Sequence, residues 1–440
     1  MEYLPNVLFV IALVIGIGFF TKNIKKLSRN IKLGKDVDVS DNKPKRWKNM
    51  ARIALGQTKM VVRPVAGLLH ILVYVGFIII NIEVLEIIID GILGTHRIFA
   101  PLGALYDFLI GSFEILALLV IVAVVIFWIR RNIIKLQRFI KPEMKGWPKK
   151  DGNMILYIEF VLMLLFLTMN AADFQLQQLN APHYTKAGAF PISQFLMPIF
   201  DGMSISSLLV VERTAWWLHI LGILAFLNYL YYSKHLHILL AFPNTYYGKL
   251  KPQGEFNNLE AVTNEVKLMM DPSADPYAAP AEDAPEPEKF GASDVMDLNW
   301  VQLLNAYTCT ECGRCTSECP ANQTGKKLSP RKIMMDTRDR LEEVGKNMDA
   351  NKGVFVPDGK QLLNDYISTE ELWACTTCNA CVQACPVSID PLSIIVEMRR
   401  YLVMEQSAAP TELNNMMSNI ENNGAPWPYN QMDRLNWVNE

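Results

Sequence analysis

The chain has 440 residues, of which 51% are hydrophobic and 20% charged, and its formal net charge is −2. This balance excludes a strongly basic nucleic-acid binder. All long apolar runs lie before residue 243 and all eight cysteines follow residue 308, which excludes a simple soluble enzyme and a secreted disulfide scaffold. The sequence therefore predicts a membrane half joined to a cysteine-bearing half.

Five stretches of the first half are long and apolar enough to cross a bilayer as helices, which takes about 20 residues. They lie near 4–20, 65–89, 103–129, 153–172 and 206–232, and the last could continue to Phe242. The first run has basic residues after it but none before it, so we expect an uncleaved anchor rather than a signal peptide. We expect an all-α membrane bundle of five helices over residues 1–245.

The loops between these spans differ sharply in charge. The loop from Lys22 to Arg63 holds thirteen Lys and Arg residues and the loop from Arg130 to Lys150 holds eight, whereas the other two loops hold few. Basic loops stay on the cytoplasmic side of a membrane. We therefore expect the N-terminus outside, the chain in the inner (cytoplasmic) membrane, and everything after the fifth span in the cytoplasm.

Histidines within the spans are candidate ligands, because a histidine in a membrane usually has a partner or a cofactor. His70 lies early in the second span and His237 late in the fifth, so both should lie near the cytoplasmic face. Two such imidazoles on antiparallel helices suit the two axial positions of a haem b. On a continuous helix His219 would share a face with His237 but lie roughly 27 Å away, and His235 would point away from that face.

This arrangement of spans and histidines resembles the cytochrome b subunit of respiratory nitrate reductase and the related membrane subunit of heterodisulfide reductases. The resemblance implies an inner haem on His70 and His237. An outer haem would pair His219 with a second-span position that is Ile80 here, which cannot ligate iron. That haem would need an atypical ligand such as His96; otherwise His219 bonds a quinone or a neighbouring helix. We expect one haem.

Four carboxylates in or near the spans could relay protons from a quinol or could simply be solvated: Glu83, Glu86, Glu114 and Glu159. After the bundle, residues 246–295 are predicted to form a linker. Within it, Phe256–Met270 reads as an amphipathic helix near the membrane surface. The Pro-, Ala- and acid-rich stretch from Asp271 to Ser293 reads as a mobile, partly extended tether.

Two near-copies of one cysteine motif occupy a predicted domain over residues 296–408. Each has three cysteines at every third position, then a fourth cysteine followed by proline. This is the bacterial-ferredoxin spacing for [4Fe–4S] clusters, in which the fourth cysteine of each run ligates the other cluster. Zinc is the alternative for such cysteine pairs, but zinc does not need this pattern twice over. We assign cluster one to Cys309, Cys312, Cys315 and Cys385, and cluster two to Cys375, Cys378, Cys381 and Cys319.

Helix-start signals follow both motifs. Ser329-Pro330 and Asp390-Pro391 each place a capping residue before proline, and the helices they start are expected to reach about Val344 and Gln406. The spacing between the motifs is too long for a minimal ferredoxin, so we expect an α-helical ferredoxin fold. The tail, residues 409–440, either docks on a partner or is loose.

The segments WVQLLNAYTCTECGRCTSECPANQTGKKLSPRKIMMDTRDRL and ELWACTTCNACVQACPVSIDPLSIIVEMRRYLV resemble the dicluster domain of heterodisulfide reductase and glycolate oxidase iron–sulfur subunits. In those relatives the dicluster domain accompanies a catalytic domain with Cys-Cys-Gly motifs. This chain has no adjacent cysteine pair, so the resemblance implies a separate cytoplasmic catalytic partner. The sequence also shows no dinucleotide fingerprint, P-loop or nucleophile–base pair, so we expect substrate catalysis on the partner.

The expected function is that of a membrane-anchored electron-transfer subunit of a heterodisulfide-reductase-like complex. It would pass electrons between a membrane quinone, haem b and two [4Fe–4S] clusters, to or from the partner. Two alternatives remain open. The chain could anchor a flavin-dependent dehydrogenase of an organic acid such as glycolate, lactate or glycerol phosphate, or it could be a redox sensor or scaffold. Whether the chain is an enzyme by itself, and in which direction electrons flow, stays undecided.

Overall fold

The computed structural model describes residues 3–273 and 289–439. Within these ranges the regular structure is helical, and β-structure is limited to two isolated bridges, which confirms the predicted all-α architecture. The helices are α1 (Leu4–Ile31), α2 (Lys43–Met50), α3 (Pro64–Leu93), α4 (Ala104–Asn132), α5 (Trp147–Gln178), α6 (Ile205–Tyr229), α7 (His237–Tyr246), α8 (Glu260–Met270), α9 (Trp300–Thr308), α10 (Arg314–Glu318), α11 (Pro320–Gln323), α12 (Pro330–Ala350), α13 (Leu362–Asp365), α14 (Thr369–Trp373), α15 (Ala380–Ala384), α16 (Pro391–Met404) and α17 (Thr411–Asn423).

Five of these helices, α1 and α3 to α6, are long and apolar enough to cross a membrane. They form a bundle in which α5 packs against α4 and α6, while α3 packs against α1 and α4. The interior is filled by large apolar side chains such as Phe9, Phe113 and Phe166. Many other apolar side chains stay exposed on the outer surface of the bundle, as expected where lipid replaces water as the solvent.

The fifth span, Ile205–Tyr232, matches the predicted stretch, but it does not continue to Phe242 as one helix. The α-helix ends at Tyr229, two 3₁₀ turns follow, and helix resumes at His237. Ser233 lies between the two 3₁₀ turns in an extended conformation, and its side chain accepts a hydrogen bond from the His235 amide. On α5, Asp151 accepts from the Tyr229 hydroxyl (2.6 Å) and the Lys234 amide (3.1 Å). The shared helical face inferred for His219 and His237 therefore does not exist.

The cysteine-bearing half has its own helical core, which includes Leu303, Ile333 and Ile394. Both predicted helix starts are confirmed. The Ser329 side chain accepts from the Lys332 amide at the start of α12, and Asp390 does the same for Ser393 at the start of α16. These caps satisfy amides that the first helical turn leaves unpaired. Helix α12 runs past the predicted end to Ala350, and α16 stops at Met404.

The cysteine-bearing half packs against the end of the bundle that carries the two basic loops. Backbone hydrogen bonds join Lys35 to Leu298 (2.8 Å) and to Trp300 (3.1 Å). Deeper in the interface, the Asn30 side chain of α1 donates to the hydroxyl of Tyr307 on α9 (2.9 Å). The two halves are therefore in direct contact through polar side chains as well as through apolar packing.

The remaining segments lie at the surface. Helix α8 covers most of the predicted amphipathic segment and has no buried residue. The predicted tether falls mostly on residues 274–288, which lie outside the described residues. In the tail, α17 has no buried residue, and Trp427 and Trp437 are exposed.

Candidate functional site

The first cysteine quartet surrounds a small cavity between two loops. Cys309, Cys312 and Cys315 of the first run line it together with Cys385 of the second run. Cys309 and Cys385 are buried, and the other two are partly buried. The structure thus brings together the four residues assigned to cluster one, including the fourth cysteine that comes from the distant run.

The second quartet surrounds a matching cavity. Cys375, Cys378 and Cys381 line it with Cys319 of the first run. Cys378 is exposed, whereas Cys319 and Cys381 are buried. The second quartet therefore has one thiol at the surface, whereas every thiol of the first quartet is at least partly buried.

Backbone geometry explains how three thiols in each run reach one cavity. Each run has two residues with positive φ, Glu311 and Gly313 in the first and Thr377 and Asn379 in the second. These left-handed residues curl the loop, and five-residue helices, α10 and α15, follow at once and pack against each other. A side chain at Gly313 would also press on Arg138, whose Cβ lies 3.2 Å from the position of the missing Cβ.

The chemistry of the thiols fits iron–sulfur clusters. Burial raises the pKa of Cys309 to about 12 and that of Cys385 to about 11, so these thiols need a bound cation to become thiolates near neutral pH. Among the described residues, no three His, Cys, Asp or Glu side chains converge as ligands of a single ion. The cysteines instead surround cavities, as ligands of a multi-iron cluster do.

The structure brings His70 and His237 together. Their ring centres lie 6.3 Å apart, with the rings inclined at 43°. Two metal–imidazole bonds of about 2 Å, with about 1 Å from each bonded nitrogen to its ring centre, need ring centres about 6 Å apart. The His237 Nδ1 donates to the Lys234 carbonyl (3.0 Å), which leaves Nε2 as the free ligand atom. The buried His70 Nδ1 has no hydrogen-bond partner in the described chain.

The other histidines have other contacts. His219 is buried, with Nδ1 3.0 Å from the Leu162 carbonyl and its ring beside Phe166. His96 has both ring nitrogens engaged, one with Asp173 (3.2 Å) and one with the Thr185 amide (3.3 Å). His96 is therefore unsuited as the atypical partner of His219 in a second haem.

His235 also lies in the His70–His237 cluster. Its ring centre is 5.5 Å from that of His237, and its Nε2 lies 3.6 Å from the Glu159 carboxylate. It is thus close to the histidine pair, although a continuous helix would have turned it away.

A cavity of about 460 Å³ opens at the end of the bundle far from the cysteines. Its lining combines carboxylates, Arg213 and the rings of Trp216 and Trp217. Glu83 is buried there, and its Oε2 has no partner in the described chain. By contrast, Glu86 accepts from the Tyr106 hydroxyl (2.8 Å).

A further span carboxylate, Glu114, is occupied by hydrogen bonds within the protein. Glu114 accepts from Asn170 (3.2 Å) and from the Ile192 and Ser193 amides (2.8 and 3.0 Å). Of the four span carboxylates, Glu83 is therefore the one that faces the cavity with an unpartnered oxygen.

Contacts link the histidine pair to the first quartet. Just before His237, Lys234 forms an ion pair with Glu311, which lies between Cys309 and Cys312. After it, the Asn244 side chain donates to the Val387 carbonyl (2.8 Å), two residues beyond Cys385. The segment that carries His237 thus touches both loops of the first quartet.

Sequence reasoning missed the cations around the first quartet. Arg314 donates to the Lys59 and Met60 carbonyls (2.9 and 3.2 Å), and Lys59 donates to Ser388 (3.1 Å). Arg138 lies beside Gly313. In the sequence, Lys59 and Arg138 are simply members of the two basic loops, and Arg314 is part of the first cysteine motif. A basic loop predicts which side of the membrane it lies on, but not that it contacts a cluster.

Comparison with known proteins agrees with the cysteine half. A family model described as a 4Fe-4S dicluster domain matches residues 308–389. The chain is 29% identical to a probable iron-sulfur-binding oxidoreductase, FadF, of Bacillus subtilis, over 98% of this chain and 60% of that protein. It is 26% identical to an EtfAB:quinone oxidoreductase of Syntrophomonas wolfei, over 88% of this chain and 53% of that protein.

A subunit of the ferredoxin/F420H2-dependent CoB-CoM heterodisulfide reductase of Methanosarcina acetivorans is 32% identical, over 27% of this chain and 60% of that protein. No solved structure matches the chain. The chain spans 53% to 60% of the first two relatives. Residues 308–389 thus match a 4Fe–4S dicluster domain, and nearly the whole chain is similar to a probable iron–sulfur-binding oxidoreductase.

Proposed function

We propose that this chain is the membrane-anchored electron-transfer part of a quinone-linked oxidoreductase, in which His70 and His237 hold a haem b and the two quartets hold [4Fe–4S] clusters. When bound, these groups supply one-electron transfer between a membrane quinone and a cytoplasmic catalytic partner. The observation that carries the proposal is the unbroken series of contacts from the histidine pair, through the segment 234–244, to the first quartet.

The protein's own residues would hold this series in place. The Lys234 carbonyl orients the His237 ring, and the backbone amides of Thr377 and Ile389 donate to the sulfurs of Cys375 and Cys385 (3.4 and 3.3 Å). Hydrogen bonds of this kind tune the potential of a cluster. The exposed Cys378 makes the second quartet the natural place for exchange with a partner.

The names of two groups of relatives support a quinone as substrate and a separate catalytic partner. One relative is named for a quinone, and several others are named as subunits of heterodisulfide reductases. A catalytic subunit of the Cys-Cys-Gly type is the partner that the second group favours. A flavin-containing partner is the alternative.

The cavity at the far end of the bundle is a place where a quinone ring could bind. Glu83 offers an unpartnered carboxyl oxygen, and Trp216 and Trp217 offer aromatic faces. Glu83 follows His70 by thirteen residues on α3, which is about 20 Å along the helix axis. A single haem on His70 and His237 would therefore be far from this cavity, and a quinone would exchange electrons with it from a site nearer His70. A second, outer haem would allow the exchange at this cavity.

A pyridine haemochrome assay combined with iron and sulfide analysis of the purified chain tests the proposal. We expect one haem and about eight cluster irons, since each of two clusters holds four. Absence of haem would refute the His70–His237 pairing. Two haems would show that Ile80 does not prevent the outer site, and they would favour the far cavity. Failure of quinol analogues to reduce the clusters would favour the sensor interpretation.

A further inference from the structure

The two quartets lie in different electrostatic surroundings. Several cations lie near the first quartet, and three of them have no carboxylate within ion-pair distance among residues 3–273 and 289–439: Lys59, Arg138 and Arg314. Arg331 also lines the cavity, but it is paired with Glu143. Lys59 and Arg138 belong to the two basic loops of the membrane half, so the cysteine domain receives this charge by docking.

The second quartet has fewer charged side chains around its cavity. Arg399 lies beside it, where it donates to the Leu372 and Cys375 carbonyls (2.6 and 2.5 Å) and stacks on Trp373. Among the described residues no charged side chain lines the second cavity, whereas Arg314 and Arg331 line the first.

Among these three cations, Arg138 has the fewest contacts that would explain why its charge is buried. Its guanidinium lies over the Phe139 ring, and its Nε is buried without a hydrogen-bond partner in the described chain. A buried, unpartnered donor on a charged group is costly. Burial lowers the pKa of Arg138 to about 10, partly opposed by Cys312, so the charge persists at neutral pH. A cluster in the first quartet would give this charge a counterpart.

A cluster held by four thiolates is negatively charged, and its reduced form carries one more negative charge. A neighbouring cation therefore stabilises the reduced form more than the oxidised form, and the effect is strong where water is excluded. We propose that Lys59, Arg138 and Arg314 hold the reduction potential of the first cluster above that of the second. When the two clusters hold one electron between them, it then resides mainly on the first cluster, which is nearer the membrane bundle. This order favours transfer from the partner side toward the quinone.

The inference rests on the proposed function, because it requires clusters in both quartets. Potentiometric titration followed by electron paramagnetic resonance tests it on the full chain in detergent. In Arg138→Gln we expect the reduction equilibrium constant of the higher-potential cluster to fall about tenfold, which is about 59 mV for one electron. The lower-potential cluster should stay unchanged. Arg138→Lys keeps the charge and should restore most of the potential.

Arg399→Gln is the matched control, because it removes the cation beside the second quartet and should lower only the other potential. Lys59→Gln is measured in the same way and gives an independent result if Arg138→Gln does not accumulate. The inference is overturned if removing either basic-loop cation shifts the lower-potential cluster or leaves both unchanged. Absence of both signals from the unaltered, iron-analysed chain would instead refute the proposed function.

Discussion

The contact between the cysteine domain and the second basic loop should depend on one buried ion pair. Arg331, in the first turn of α12, has a side chain that is 1% exposed and lies 2.7 Å from Glu143. Glu143 also accepts from Ser329, the cap of α12 (2.7 Å). In Glu143→Gln the buried guanidinium loses its counter-charge, and breaking a buried pair typically costs about 3–5 kcal/mol.

The other end of α12 supplies a matched control. There Asp349 pairs with Lys26 (2.7 Å) and with Arg29 of α1, and these three side chains are 32% to 37% exposed. An exposed pair contributes at most about 1 kcal/mol. Asp349→Asn therefore removes a charge from the same helix and the same interface, but should weaken the contact far less.

Hydrogen–deuterium exchange measured by mass spectrometry separates the two variants. Because each 1.4 kcal/mol is a tenfold change, Glu143→Gln should speed amide exchange in the first turns of α12 by about two to three orders of magnitude. Asp349→Asn should speed exchange at the other end of α12 less than about tenfold. Equal, small changes in both variants would refute the view that the buried pair dominates this contact.

Three further changes have distinct expected outcomes. Cys385→Ala should remove the cluster of the first cysteine run, although Cys385 belongs to the second, and iron content with paramagnetic resonance shows which cluster survives. His70→Leu should abolish the haem absorbance, whereas His219→Leu should retain it. The docking of the two halves should weaken as pH falls, and the same hydrogen–deuterium exchange measurement would detect this. The reason is that Lys26 and Arg29 lower the pKa of Asp349. Burial raises the pKa of Glu143, but Arg331 and Ser329 together outweigh it and lower that pKa. The stabilisation from both carboxylates is therefore present above their ordinary pKa values of 3.8 and 4.5 and is lost as the pH falls below them.

Each of these outcomes has a clear opposite. Loss of the second-run cluster in Cys385→Ala would show that each run binds its own cluster. Haem retention in His70→Leu would exclude that histidine as an axial ligand. Docking that is indifferent to acid would mean that apolar packing, rather than the two carboxylates, holds the halves together.

The grouping of the cysteines could be predicted from the sequence because the constraint is local. Three thiols at every third position can converge on one cavity, and the bacterial-ferredoxin pattern assigns the fourth cysteine to the other cluster. Helix starts were equally predictable, because Ser329 and Asp390 bond to amides only three residues away. Such patterns need no knowledge of distant residues.

The break in the fifth span could not be predicted in this way. It depends on Asp151, which lies far back in the sequence and binds Tyr229 and Lys234 across the bundle. The same limit applies to the outer network, where Arg97 is buried against Asp173 and Asn170. Arg97, which the sequence places in a loop between spans, is thus part of the bundle interior.

The crossed cysteine quartets have a consequence for how the domain matures. Each quartet joins residues near the beginning of the domain to residues near its end, so each cluster would act as a cross-link that closes a long loop of chain. By analogy with disulfides, closing a loop of this size removes about 4 kcal/mol of unfolded-state entropy. The two loops are nested, so the first cluster to be inserted brings the second set of ligands together. In the unaltered chain, insertion of either cluster should therefore favour insertion of the other.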